Sequence, residues 1–277
     1  MKAAPFEYLR PASVAEASAA LGRNGMTTAA IAGGQSLLPM LNLRVAFIDL
    51  LVDISRLDEL RAVTETPSGL QIGALTTHAA IEDGKVPDLF GGLLRRVAGQ
   101  ISYRAVRNHG TIGGSVALAD PAADWPGCLM ALGASVRIAG PSGARSELVS
   151  DFVQGSYSTS LAAGEIILGF ELPRPGASLR WGFAKVVRKS GAFASSIAFV
   201  VTPGRSAPVS VVLAAAAARA QACPETAQHL QRGTATDEAL RQAIARDLAV
   251  HVPDADAYQQ RLHTATILRA IRDWRAQ

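Results

Sequence analysis

The chain is poor in sulfur and in rings. Among its 277 residues there are two cysteines, Cys128 and Cys223, and only 5% aromatics. Neither cysteine belongs to a CxxC pair or to a Cys/His group of ligand spacing, which excludes an iron–sulfur or structural zinc site in this chain. Two isolated cysteines read as core fillers of a protein kept reduced. Charge is also scarce: 18% of residues are charged and the net charge is +4. There is no Lys/Arg run and no basic stripe interleaved with aromatics, so nucleic acid is not an expected partner. The five histidines are dispersed and show no metal-ligand spacing. The longest apolar run, near Val209–Ala218, is too short and Ala-rich for a bilayer, so no transmembrane segment is expected. The opening residues lack the apolar stretch of a signal peptide, and the expected location is cytoplasmic. Missing too are GxGxxG, the P-loop, GxSxG, HExxH and the kinase set.

What remains is a chain rich in small residues. Hydrophobic residues make up 49%, and there are 25 glycines. Such a composition buries a large core and allows backbone to approach backbone or a ligand closely. Val14–Leu21 reads as a short helix capped by Ser13. Thr28–Ala32 reads as a buried strand running into Gly33-Gly34, followed by helical spacing over Leu37–Val45 and a strand at Ile48–Ile54. Leu70–Leu75 is strand-like, and Thr76 or Thr77 can cap a helix through Ile81. Pro87–Gln100 has helical apolar spacing. Ala134–Ala139 and Ile166–Leu172 are further strands, and Pro173–Gly176 is the strongest linker signal. Beyond it, Trp181–Val187, Ser195–Thr202 and Val209–Ala215 read as three strands, and Thr236–Val250 and Asp256–Trp274 as two helices. The expected divisions are residues 1–57, 58–176 and 177–277, the last an α+β domain with a three-stranded sheet and helices.

Two segments carry chemistry. In Ala32-Gly33-Gly34-Gln35-Ser36-Leu37 a strand enters a glycine pair and a helix follows, so backbone N–H groups can converge on an anion. The Ser36 hydroxyl can cap that helix or donate to a phosphate oxygen. Thr111-Ile112-Gly113-Gly114-Ser115 again couples a glycine pair to hydroxyl residues. The two bends can converge on one diphosphate from opposite sides, or they can be unrelated tight turns.

These segments and their flanks resemble the FAD-binding medium subunit of the xanthine dehydrogenase and aerobic carbon monoxide dehydrogenase family. The likeness runs through Phe6-Glu7-Tyr8-Leu9-Arg10-Pro11, Ala32–Pro39, Arg107–Ser115, Ala119–Pro126, Glu165–Leu168 and Phe183-Ala184-Lys185. The resemblance implies an α+β architecture: two α/β subdomains of the vanillyl-alcohol-oxidase and MurB-like FAD-binding fold, followed by a C-terminal α+β domain. It implies that Ala32 to Leu37 and Thr111 to Ser115 hold FAD, and that Asp124, Leu168, Lys185 and the apolar Ile101 contact it. Phe193 falls where some relatives place an aromatic over the isoalloxazine. Each has a plain alternative: a helix-terminal acid for Asp124, core packing for Leu168, Ile101 and Phe193, a solvated strand residue for Lys185.

The family departs from this chain at Ser115, where many relatives carry Asn, and in the Ala-rich Val212–Pro224 segment. The resemblance further implies a molybdopterin-binding large subunit carrying the molybdenum cofactor. It also implies a small subunit with two 2Fe–2S clusters, in a heterotrimer or its dimer. Electrons would pass from those clusters through FAD to an external acceptor, with no catalytic acid or base required here. A self-contained flavin oxidoreductase and a scaffold that has lost FAD remain as alternatives.

Overall fold

A computed structural model describes residues 2–205, 207–233 and 236–277. Among the described residues, three sheets of three or more strands follow one another along the chain, with a two-stranded one at Val153–Gly155 and Ser158–Thr159. The first is parallel, with Leu50–Asp53 between Glu7–Leu9 and Thr28–Ile31. The helix Val14–Leu21 joins its edges, and Ser13 caps that helix by accepting from Glu16 N–H. The second sheet is antiparallel, in the order Val63–Thr66, Gly69–Gly73, Ile166–Pro173, Ser135–Gly140, Gly143–Leu148. It packs on the helices Leu93–Gly99, Ile112–Leu118 and Asp124–Ala131, around Trp125, Phe152 and Phe170.

The third sheet runs Arg180–Val187, Ala194–Thr202, Ser210–Ala214, Gln221–Ala222. It therefore has four strands where three were expected. The added strand is two residues long, too short to leave a period-2 pattern. Alternation along Ala194–Thr202 separates two cores: Ile197, Phe199 and Val201 face the Trp125 cluster, while Ala198 and Val200 face the C-terminal helices. The Pro173–Gly176 linker thus divides two sheets but not their core. The helices Asp237–His251 and Ala257–Arg275 lie where sequence placed them. An additional helix, Pro224–Arg232, precedes them.

Other elements are shorter than their apolar spacing implies. The expected Pro87–Gln100 helix begins only at Leu93. Asp88 accepts from Phe90 and Gly92 N–H, and Gly91 and Gly92 take positive φ, so a tight turn occupies the first half. Leu37–Val45 is helical only to Asn42, and Arg44 turns left-handed just beyond.

Candidate functional site

Between the first two sheets lies a cleft of about 890 Å³, large enough for a cofactor-sized ligand. Both glycine bends line it, together with the Leu21–Met26 and Leu161–Ile167 segments. Ile101, Asp124, Lys185 and Phe193 also line it. The Ser18 hydroxyl, which donates to Gly164 O at 2.7 Å, ties the two sides together.

The first bend leaves the strand Thr28–Ile31. Gly34 adopts φ +69, a left-handed conformation that favours glycine. Gln35 folds back, its side-chain amide donating to Gly33 O at 2.9 Å. Among the described residues, none accepts from the backbone N–H groups of Gly33 to Leu37. The Ser36 hydroxyl makes no capping bond. This bend therefore presents a run of uncommitted donors at a cleft wall.

The second bend is built differently. It is zipped to the chain leaving the strand Gly69–Gly73: His78 N–H donates to Gly110 O, Ile112 N–H to Thr76 O and Gly113 N–H to Ala74 O. The Thr111 hydroxyl accepts from Gly114 N–H, and Ser115 N–H donates to Thr111 O. The Ile112, Gly113, Gly114 and Ser115 amides are thus already engaged, while among the described residues none accepts from Thr111 N–H, so the expectation of amides offered from both sides is corrected for all but one amide of this bend. What this bend presents to the cleft is hydroxyl and close backbone. A Cβ on Gly113 would stand 2.6 Å from that of Ala74.

The bends do meet. A Cβ on Gly33 would stand 1.9 Å from His109 O and 3.0 Å from the Gly110 Cα, so the first bend lies directly on the backbone entering the second. Ala32 and Gly114 face each other across the same crossing.

Elsewhere on the cleft wall, Lys185 Nζ donates to Asp124 Oδ2 at 2.8 Å and to Gln100 O at 2.9 Å. Both side chains are sealed, at 4% and 6% exposure, so Lys185 is no solvated strand residue. Burial pushes the Asp124 carboxyl up, against the pull of Lys185. Its Oδ1 is buried with no partner. Such an atom costs free energy unless a donor completes it, and this one sits on a residue bordering the cleft.

Ile101 lines the cleft, as expected, on a turn in which Ser102 takes φ 45. That turn is held by Arg107, which donates to the Ile101 and Ser102 carbonyls at 3.0 Å each and forks onto Glu82 at 2.8 and 3.0 Å. Two expected contact residues fall elsewhere. Ile112 is fully buried in the second core, and Leu168 packs against the core beneath the first sheet; neither lines the cleft. Both occupy inward positions of elements whose neighbours face the cleft. Phe193 does line it and is largely exposed.

Sequence reasoning missed Arg107 as the holder of the Ile101 turn, and missed His78. The His78 ring borders the cleft, and the fully buried Trp125 donates to it, Nε1 to Nδ1, at 3.0 Å. The only sequence signal for His78 was its place after a capping Thr, which speaks to local structure alone.

A cleft with a run of free amides, an orphaned carboxylate oxygen and paired glycine bends is that of a dinucleotide-binding protein of the flavin type. The sequence pattern of the family described as FAD binding domain in molybdopterin dehydrogenase matches residues 4–175. The carbon monoxide dehydrogenase medium chain of Afipia carboxidovorans is 32% identical, over 98% of this chain and 97% of that one. The glyceraldehyde dehydrogenase medium chain of Sulfolobus acidocaldarius is 39% identical over 71% of this chain and 69% of its own length. A solved carbon monoxide dehydrogenase from Hydrogenophaga pseudoflava, lacking the Mo-pyranopterin moiety of its molybdenum cofactor, superposes with a TM-score of 0.93. That match has 32% identity and covers 100% of this chain and 99% of the other. The chain belongs to this family, as an FAD-binding medium subunit of a molybdenum-hydroxylase-type oxidoreductase.

Proposed function

We propose that the chain holds FAD across the crossing of its two bends and relays electrons from partner-borne iron–sulfur clusters to an external acceptor. The observation that carries this reading is the run of uncommitted amides from Gly33 to Leu37 where the second bend crosses it. Backbone N–H groups held in a bend are suited to a diphosphate. Ala32, Gly33, Gly34, Gln35, Ser36 and Leu37 contribute that wall, and Thr111, Gly113, Gly114 and Ser115 the facing one. Asp124 borders the bound group, Lys185 holds Asp124 in place, and Ile101 supplies an apolar side.

When bound, FAD supplies electron exchange between one-electron donors and a two-electron acceptor. The chain's residues bind it, orient it and limit water; none serves as an obligatory acid or base. Residues 1–57 and 58–176 act as the two flavin-holding subdomains, and 177–277 as a third domain packed on them. The partners are a molybdopterin-binding large subunit and a small subunit with two 2Fe–2S clusters, in a heterotrimer or its dimer. The reading draws support from relatives whose names carry unlike substrates, carbon monoxide and glyceraldehyde, while the medium chain is shared. Substrate recognition then belongs to another subunit. A cytoplasmic location fits two buried, unpaired cysteines. Among the described residues no helix is long and apolar enough to cross a membrane.

The test is a titration of the full chain with FAD, followed by metal analysis. One FAD per chain with no iron or molybdenum is expected, and molybdenum and iron should appear when the tagged chain is purified with its partners. A chain that takes no FAD, or that alone carries stoichiometric iron, overturns the assignment.

A further inference from the structure

His78 stands where no role was foreseen. Its Nδ1 lies 3.0 Å from the Trp125 indole nitrogen. An indole N–H can only donate, so Nδ1 must accept. The single proton of the neutral ring is therefore on Nε2. Burial, with the charge of Arg107 adding to it, pulls the ring's pKa down to about 4. Trp125 thus fixes one tautomer of an uncharged imidazole.

The ring is 5% exposed, and it borders the cleft. Among the described residues Nε2 has no hydrogen-bond acceptor, and it is not among the sealed, unpartnered atoms of a residue that lines the cleft. A Cβ on Gly110 would stand 2.9 Å from Nε2, and Gly110 itself abuts Gly33. The free N–H edge is therefore beside the crossing of the two bends. On its other side Trp125 adjoins Asp124 in sequence.

We propose that His78 is a further cofactor-binding residue, whose Nε2–H donates to an oxygen of the ribityl–diphosphate linkage of FAD, with Trp125 as the positioning residue that sets the tautomer. The inference rests on the FAD reading above. A neutral donor suits the place: it satisfies an anionic or hydroxyl oxygen without the cost of burying an imidazolium.

The experiment titrates the full-length apo chain with FAD in four forms: wild type, His78→Phe, His78→Gln and Trp125→Phe. His78→Phe fills the same buried space without a donor and should weaken FAD binding about ten-fold; it also leaves the buried Trp125 indole N–H unpaired, which should lower the melting temperature by a few degrees. His78→Gln restores an N–H and should recover most of the affinity. Trp125→Phe frees Nδ1 and should give an intermediate loss. On the wild type, ¹⁵N spectroscopy should find the proton on Nε2 and a shift of that signal on adding FAD. FAD binding by His78→Phe as tight as wild type overturns the proposal. So does a proton on Nδ1, a measurement that needs no variant to fold. A wild-type chain that takes no FAD overturns the reading of the cleft itself, a distinguishable outcome.

Discussion

Asp124 and Lys185 come from different parts of the fold, the helix Asp124–Ala131 and the strand Arg180–Val187, and meet at 2.8 Å in a wall of the cleft. The pair joins the third sheet to the flavin-holding portion. The other carboxylate oxygen of Asp124 is sealed beside the cleft without a partner.

Removing one partner of that pair strands a buried charge. Lys185→Met should destabilise the chain by about 3–5 kcal/mol and release Asp124 from its fixed orientation. Asp124→Asn in the same background removes the stranded charge and should recover much of that stability. It should not recover FAD binding, since the side chain at 124 is no longer held against the cleft by Lys185. Chemical denaturation with parallel FAD titration separates the two. Equal recovery of both would show that the pair serves stability alone.

The glycines of the two bends should not be equivalent. At Gly33 an added Cβ meets the His109 carbonyl at 1.9 Å, which is backbone and cannot yield without parting the bends. At Gly114 it meets only the Thr111 hydroxyl at 2.9 Å and is otherwise nearly open. Gly33→Ala should abolish FAD retention, read as lost visible flavin absorbance in the purified chain. Gly114→Ala should retain most of it. The reverse order would contradict the crossing geometry.

Arg107 acts on the cleft through the Ile101–Ser102 turn. Arg107→Lys keeps the charge but loses the fork that reaches Glu82 and two carbonyls at once. A cost of about 1–3 kcal/mol in stability is expected, with weakened FAD binding. Glu82→Gln keeps the carbonyl contacts and should weaken FAD binding less than Arg107→Lys does. Isothermal titration of both variants checks the order.

Acid sensitivity should trace in part to Asp53. Burial pushes its carboxyl up, but donors from Ser55, Tyr8 and Arg10 outweigh this and hold it at about 2, below the ordinary 3.8. The folded chain thus holds this charge more firmly than the unfolded one. The contribution is complete above pH 3.8 and is lost as pH falls toward 2. Asp53→Asn should lower stability at pH 7 and flatten the wild-type decline across that window, as followed by denaturant melts at stepped pH.

Much of the site was legible in the sequence because its parts are local. A strand, a glycine pair and a hydroxyl residue within a few positions define each bend, and Ser13 and Thr77 cap their helices through contacts three residues away. Flanks shared with the family carried Asp124 and Lys185. Ile112 and Leu168 fall outside the cleft lining because residues adjacent on a helix or strand point in different directions, and a motif does not record which one faces the cleft. The particular roles of His78 and Arg107 were not legible because their partners, Trp125 and Glu82, are distant in sequence.

By itself the sequence determined the local conformations and the family: Cβ-free positions, capping hydroxyls and apolar alternation act over a few residues and need no further context. The tertiary structure alone decided that the first bend keeps its amides free while the second commits those of Ile112 and Gly113 to the Ala74–Thr76 backbone. It also decided that Asp124 keeps one oxygen unpaired and that His78 presents Nε2. Those outcomes depend on which groups become neighbours when distant segments pack, and a hydrogen bond is assigned only when its partner arrives.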